Sequence, residues 1–419
     1  MIYSQTMKHL DKHNILSKLQ HGYRNKCSTE TQLLKVIDLF AKGLNNHKQI
    51  DCISLDFSRA FDVVPHQRLL LKMQYYGIRK ILPWIQNFLT SRKQAVVIEG
   101  VKSRYVSVIS GLPQGTVLAG LLFFIFINDL PESVLQSFTG IFCDDTLLAK
   151  EISDINDAEQ LQDDLNHVFE WSKLWGMKFN AEKCIQMTVT NKRKYVNYQY
   201  YLNEDILERK NKIKYLGITI DNKLSFSEHI QDKCKKATTV LNMLKRNLYF
   251  APKIVKEKAY VACVLPIIEY GSSSWNPTSK KQQNSLEMVQ HNAAKFVANR
   301  YPKKGKYEEF SINKVISSLE WRTLEERRNH ARLVMAYKII NGKVILEPNS
   351  LPKSTIKQPS RKCKGIKFPE FQLIEPFSQL DNVTSTFFYS TPKIWNKTVT
   401  ESLAKSPSIE AFKNNLKKL

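Results

Sequence analysis

An α+β fold is predicted by three features of the chain. Residues 50–62 switch to alternation of apolar and polar side chains, as a strand does. Gly140–Ala149 holds two short β-prone stretches with Asp144 and Asp145 where they meet, the pattern of a hairpin. From Ser227 onward, apolar residues recur every three or four positions, the spacing of amphipathic helices.

Taken in order, residues 1–48 read as helical, with Leu33, Leu34, Ile37 and Phe40 at helical spacing behind a Ser28/Thr29 cap. In the strand that follows, Ile53, Leu55 and Phe57 point one way, while Ser54 and Asp56 point the other. A half-buried strand then presents Asp56 on its open face. His66–Tyr76 is a helix closed by Gly77, and Pro83–Leu89 a shorter one. Ala95–Glu99 and Tyr105–Ile109 suggest a strand pair. Ser110–Gly111–Leu112–Pro113–Gln114–Gly115 is a stiff loop before an apolar helix, Val117–Leu130. Its unbroken apolar run ends at Ile127, short of the roughly 20 residues of a membrane span, so it reads as core. Asn156 with Glu159 suggests a capping box for a helix that ends at Gly176. Strands are expected at Met187–Thr190 and Tyr215–Ile220. Beyond Ser227, Ile230, Cys234, Ala237, Leu241 and Leu244 form one stripe, and Leu286, Val289, Ala293 and Phe296 another. Lys233, Lys235, Lys236, Lys245 and Arg246 lie off the first stripe, so charge faces outward.

Charge narrows the partners. The 419 residues carry 63 Lys and Arg against 39 Asp and Glu, a net +24. The excess is uneven: +8 over residues 1–100, −3 over 101–200 and +19 over 201–419. Basic flanks around a mildly acidic middle fit a polyanion held on either side of a cation site. The seven Cys residues have no CxxC or zinc spacing, and the N-terminal stretch has no apolar signal region, so a reducing intracellular compartment is expected.

The middle of the chain carries the candidate chemistry. Asp56 ends a strand, and Asp144–Asp145 sit on a hairpin tip. Carboxylates on adjacent strands suit Mg²⁺, a hard ion that takes oxygen ligands. A pair of such ions about 4 Å apart can clamp both oxygens of an in-line phosphoryl displacement. An Asp–Asp pair at a turn is also an ordinary turn cap, so the pair alone leaves both readings open.

Ordered blocks along the chain add a resemblance. His21–Gly22–Tyr23–Arg24 with Ser28–Thr29, Leu55–Asp56–Phe57–Ser58–Arg59–Ala60–Phe61–Asp62, Gly111–Leu112–Pro113–Gln114–Gly115–Thr116–Val117–Leu118 and Phe142–Cys143–Asp144–Asp145 are similar to successive motifs of reverse transcriptases from non-LTR, jockey-type retrotransposons. Asn180–Lys183, Tyr215–Leu216–Gly217–Ile218, Trp275–Asn276–Pro277 and Val289–Ala294 resemble later blocks of that family.

The resemblance implies a polymerase right hand. Residues 1–49 would be partial fingers, because the family's R-P-I-S block would fall ahead of Met1. Residues 50–226 would form an antiparallel-sheet palm with a fingers insertion at about 66–110, and 227–300 a helical thumb. A helical extension (301–344), a basic Pro/Lys-rich linker (345–379) and a small C-terminal unit (380–419) would follow.

It also implies roles. Asp56, Asp144 and Asp145, with the Phe57 carbonyl, would hold two Mg²⁺ ions, Mn²⁺ being an alternative. Phe61 would exclude a ribose 2′-OH; Pro113, Gln114 and Gly115 would contact the incoming nucleotide; Lys183 would protonate pyrophosphate; Leu216 and Gly217 would grip the primer. The expected activity is RNA-directed DNA synthesis on an RNA template from a DNA primer, with dNTPs and an RNA–DNA hybrid as partners. No membrane partner is expected, and the setting would be nuclear or cytoplasmic, as a ribonucleoprotein. The alternative is an inactive nucleic-acid-binding protein that keeps the shape.

Overall fold

Strand β1 (Gln49–Leu55) organises the first half of the molecule. With β2 (Phe138–Phe142), β3 (Asp145–Ile152), β4 (Ile185–Thr190) and β5 (Glu208–Arg209) it forms a five-stranded sheet ordered β5-β4-β1-β3-β2. β1 runs antiparallel to both neighbours, Leu55 facing Thr146 on β3 and Ser54 facing Ile185 on β4. β2 and β3 form a hairpin in which Phe142 faces Asp145, so Cys143 and Asp144 are its two-residue turn. Cys143 has φ +57°, the positive value such a tight turn requires. Only the short β5 runs parallel to its neighbour.

The computed structural model describes residues 1–301, 311–346, 350–351 and 371–418. The chain divides into two compact units: Met1–Gln32 with His47–Leu216, and Leu33–Asn46 with the chain from Gly217 onward. In the first, the apolar helix Val117–Ile127 is buried from Ala119 to Ile127. A helix apolar on every side is stable only when enclosed, which explains the long apolar run. It shares a core with Ile53, Leu55, Phe57, Ile141 and Leu148 of the sheet segments and with Leu161, Leu165 and Val168 of the helix Ile155–Trp175. That core supports the strand ends carrying the aspartates.

In the second unit, the helix Ser227–Asn247 buries Ile230, Ala237, Leu241 and Leu244, and Lys280–Ala298 buries Leu286, Val289, Ala293 and Phe296. Lys235, Lys236 and Arg246 stay exposed. Ser279 with Gln282 and Thr323 with Glu326 are complete capping boxes. A further core joins the helix Leu324–Ile340 to Phe387, Trp395 and Phe412 of the C-terminal helices.

Several local expectations change. The helical stretch 1–48 is two helices, Ile2–Lys12 and Thr29–Asn45, separated by an irregular segment with positive φ at Asn14, Tyr23 and Lys26. β1 has no open face: all its residues but Ser54 are buried, because both faces of this central strand are covered. Val117–Ile127 stops before Leu130, which opens a 3₁₀ turn. The cap of Ile155–Trp175 is Asp154, which accepts from Asp157 N, rather than Asn156; Gly176 ends the helix at φ +71°. The strand pair after Pro83–Leu89 is a ribbon in two pieces, Lys93–Gln94 with Val106–Ser107 and Val97–Ile98 with Val101–Lys102. The strand expected over Tyr215–Ile220 is broken by Leu216 and Gly217, at φ +46° and +77°, into Lys212–Tyr215 and Ile218–Asp221. The linker expected at 345–379 falls largely outside the described residues.

One glycine sets the approach of the stiff loop. Gly111 has φ +84°, and a Cβ there would meet Asp62 O at 2.5 Å. Its carbonyl accepts from His66 Nε2 at 2.8 Å and Arg92 Nη2 at 3.0 Å. Gly111→Ala is expected to lose ~1–3 kcal/mol from the left-handed backbone alone, and more from the clash. Urea denaturation followed through residues of the first unit measures it, and an unchanged midpoint would contradict this packing.

Candidate active site

Asp56 is the first residue after β1. Continuing the β1–β3 register by one step puts it opposite Asp145, and directly opposed residues project to the same face. The adjoining segment 178–184 fixes its backbone: Asn180 N donates to Asp56 O at 2.8 Å, and Ser58 N donates to Lys178 O at 2.8 Å. Asp56 N points at Cys184 Sγ, 3.4 Å away. Phe57 is buried and stacks on Phe179 with ring centroids 4.3 Å apart, pinning the strand end from below. Neither Cys184 nor Phe179 stood out in the sequence, because an isolated Cys or Phe carries no pattern there.

The two hairpin carboxylates feel the charges beside them. Burial raises the Asp145 pKa to about 6, and the negative charges of Asp144 and then Asp56 push the same way. Asp144 is also raised, by burial first and by Asp56. Crowded protein around like charges disfavours the ionised forms. Cys143, at the tip, is pushed up to about 12 by burial and by both neighbouring aspartates.

Proximity is not a finished cage. Among the described residues, no group of three or more His, Cys, Asp or Glu side chains is gathered so as to hold a metal ion. Uncompensated like charges keep apart, and Asp56 instead faces Lys183, whose Nζ lies 3.5 Å from Oδ2 with both side chains well exposed. The donor set nevertheless fits a hard divalent cation, since it consists of carboxylate oxygens whose mutual repulsion such an ion relieves.

Phe61, Pro113, Gln114 and Gly115 cluster around the stiff loop. Phe61 is half-buried and stacks on Phe123 of the apolar helix, centroids 4.4 Å apart, while its carbonyl accepts from Leu112 N at 2.8 Å. Gln114 is exposed, and its Nε2 donates to Asp62 Oδ1 at 2.7 Å. Gly115 has φ +80° with open space beside its Cα. Pro113 O accepts from the hydroxyl of Thr116, which caps the apolar helix. Leu216 closes the first unit and Gly217 opens the second.

The sequence reading also passed over Gln20. Its side chain is buried and hydrogen-bonds both backbone groups of Cys143 at the hairpin tip. The available signal was its place at the head of the Gln20–His21–Gly22–Tyr23–Arg24 block.

The family model described as "Reverse transcriptase (RNA-dependent DNA polymerase)" matches residues 1–220. Among curated proteins, the chain is 28% identical over 291 residues to the "RNA-directed DNA polymerase from mobile element jockey" of Drosophila melanogaster, covering 66% of this chain and 31% of that protein. It is 28% identical over 303 residues to the "Probable RNA-directed DNA polymerase from transposon BS" of the same species, covering 68% and 33%. The chain thus spans about a third of the length of these relatives. Among solved structures, apo telomerase from Candida tropicalis matches with a TM-score of 0.38 at 11% identity, over 75% of this chain and 52% of that one.

The raised carboxylates have a stability consequence. Asp145 has a folded pKa of about 6, against roughly 3.9 in an unfolded chain. Its protonation therefore favours folding: the gain begins as pH falls through about 6 and is complete below about 4. At neutral pH and without divalent cations, Asp145→Asn is expected to raise Tm. Asp145 keeps an open face to water, so screening trims the gain to on the order of 1–3 °C. Thermal melts between pH 4 and 8 check this; a lower Tm for the variant would contradict the electrostatics.

Proposed function

The chain belongs to the reverse transcriptase (RNA-dependent DNA polymerase) family, and on that premise we propose that it copies RNA into DNA by adding dNTPs to a primer 3′-OH. The observation that carries the reading is the placement of Asp56, Asp144 and Asp145 at neighbouring strand ends, close enough for the Asp56 charge to raise both hairpin carboxylates. In this reading, residues 50–226 are the palm, 1–49 and about 66–110 contribute fingers, and 227–300 are the thumb.

Asp56, Asp144 and Asp145, with the Phe57 carbonyl, would hold two Mg²⁺ ions. When bound, such ions supply charge stabilisation for the attacking and leaving oxygens. The chemistry exchanges one P–O bond for another: the primer 3′-oxygen bonds to the α-phosphorus of the dNTP, and the bond to pyrophosphate breaks. The protein's part is mainly positioning. Phe61, held by its stack on Phe123, stands as the barrier to a ribose 2′-OH. Gln114, tethered to Asp62 on an exposed loop, would steady the incoming nucleotide. Lys183 has a long, exposed ion pair to leave, so its ammonium can turn and give a proton to pyrophosphate. Leu216 and Gly217 would seat the primer end.

The nucleic-acid partners, an RNA template, a DNA primer and their hybrid, suit the second unit's surface. Its exposed lysines and arginines flank buried apolar stripes, the arrangement for phosphate contacts that slide over any sequence. Tyr249 and Phe250 add an exposed pair of rings beside Lys245 and Arg246. We place the working setting inside the cell, as a ribonucleoprotein. A second reading, a nucleic-acid binder without catalysis, is favoured by one observation: the carboxylates are not gathered into a cage.

Primer extension on an RNA template with dNTPs and Mg²⁺ separates the two. The wild-type chain is expected to extend, and Asp144→Asn to lose roughly 10³-fold or more of the rate while keeping template–primer binding. Tight binding without extension by the wild type would establish the second reading.

Phe61→Ala is expected to narrow discrimination between dNTPs and NTPs by roughly tenfold or more, the scale of one pocket contact. Incorporation ratios from mixed-nucleotide extension measure this. An unchanged ratio would remove Phe61 from that role.

A further inference from the structure

The hairpin that carries Asp144 and Asp145 is held at its tip by a residue far away in sequence. Gln20 is 1% exposed. Its Oε1 accepts from Cys143 N at 3.1 Å and from Gly22 N at 2.6 Å, and its Nε2 donates to Cys143 O at 3.3 Å. One carboxamide therefore engages both backbone groups of the turn residue that precedes Asp144. The N–H belongs to the peptide plane before Cys143 and the carbonyl to the plane after it. Holding both fixes φ and ψ of Cys143, and so the direction in which the Asp144 Cα–Cβ bond leaves the turn.

The surroundings lock Gln20 itself. Its backbone forms a parallel bridge with Ile141 of β2; His21 N donates to Ile141 O at 2.9 Å and Ile141 N to Leu19 O at 3.4 Å. The buried His21 ring engages Thr31 Oγ1 at 3.0 Å, tying the segment to the start of the next helix. Gly22 completes the fit: a Cβ there would come within 2.5 Å of Cys143 Sγ and 2.6 Å of Cys143 N. The segment can lie this close to the turn only because that position has no side chain. Cys143 in turn sits at φ +57°, a conformation a non-glycine residue keeps only when neighbours over-determine it.

We propose that Gln20 is a positioning residue that clamps the Cys143 peptide planes and so sets the aim of the Asp144 and Asp145 carboxylates toward a divalent cation. It touches neither substrate nor cation and acts through the turn. The inference rests on the reading of those carboxylates as the metal-binding pair, and it adds a constraint that their own positions do not supply. Loss of a residue that orients metal ligands commonly lowers metal affinity or activity by about 10–100-fold.

The test uses the full chain and Gln20→Met, which keeps volume but removes all three hydrogen bonds. Three readouts are taken: backbone amide exchange over residues 138–146, Mn²⁺ titration by electron paramagnetic resonance, and primer extension as a function of Mg²⁺. Exchange at the tip is expected to rise about tenfold or more, with exchange in the helix Ile155–Trp175 unchanged. The Mn²⁺ dissociation constant and the half-saturating Mg²⁺ are expected to rise by about 10–100-fold at unchanged template–primer affinity. A residue that only supported the fold would lower the amount of active protein and leave half-saturation where it was.

Gly22→Ala presses on the same turn from the other side and should reproduce the Mn²⁺ defect, which covers the case of a Gln20→Met chain that does not fold. Wild-type exchange and wild-type Mn²⁺ affinity in Gln20→Met would overturn the clamp. If the wild type extends no primer, the polymerase reading fails instead, and the exchange and Mn²⁺ arms still decide the clamp on their own.

Discussion

The antiparallel register of β1 and β3 is the constraint on which the candidate site depends. Leu55 faces Thr146, so Asp56 follows opposite Asp145, and the hairpin turn adds Asp144 beside it. A one-residue slip would send every side chain of a strand to the other face and separate the acids. The register is held because β1 is buried on both faces. Ile53, Leu55 and Phe57 pack into the first unit's core, and the helix Val117–Ile127 joins them there. Apolar packing thus maintains an arrangement that electrostatics alone opposes.

In the proposed reading, that opposition is what sets these acids apart from turn caps. A capping aspartate is stabilised by the N–H groups it accepts from, as Asp154 is at the start of Ile155–Trp175. Asp144 and Asp145 are instead pushed toward their neutral forms, Asp145 by burial and by Asp144 and Asp56, and Asp144 by burial and by Asp56 against one backbone hydrogen bond. A fold that keeps such charges together forgoes stability at the site unless something positive comes between them. Lys183 supplies only a long and exposed contact to Asp56. The chemistry best able to complete the group is a hard divalent cation.

Much of this was legible in the sequence, and for identifiable reasons. Alternation marked β1, and the Asp144–Asp145 step between two β-prone stretches marked the hairpin, because both signals are local. The apolar run marked an enclosed helix, and the stripes after Ser227 marked the helices of the second unit. What local pattern could not carry was context. β1 looked half-exposed because alternation cannot report a covering layer on the second face. The break after Ile2–Lys12 was hidden because Asn14 closes that helix in the left-handed region, where Ile15 N returns to Leu10 O, a stop that no glycine or proline marks. The cap at Asp154 lost to Asn156 in the reading because both are good capping residues two positions apart. The place of Gln20 at the head of its block was legible, but its role was not, because its partner, Cys143, lies more than a hundred positions away.

The central claim is that Asp56, Asp144 and Asp145 form one divalent-cation site. The most direct measurement is a crystal structure of the chain grown with Mn²⁺, with data collected at the manganese absorption edge. The account predicts anomalous peaks within bonding distance of carboxylate oxygens from both Asp56 and the hairpin aspartates. Manganese bound elsewhere on the chain, with these three side chains still apart, would contradict it.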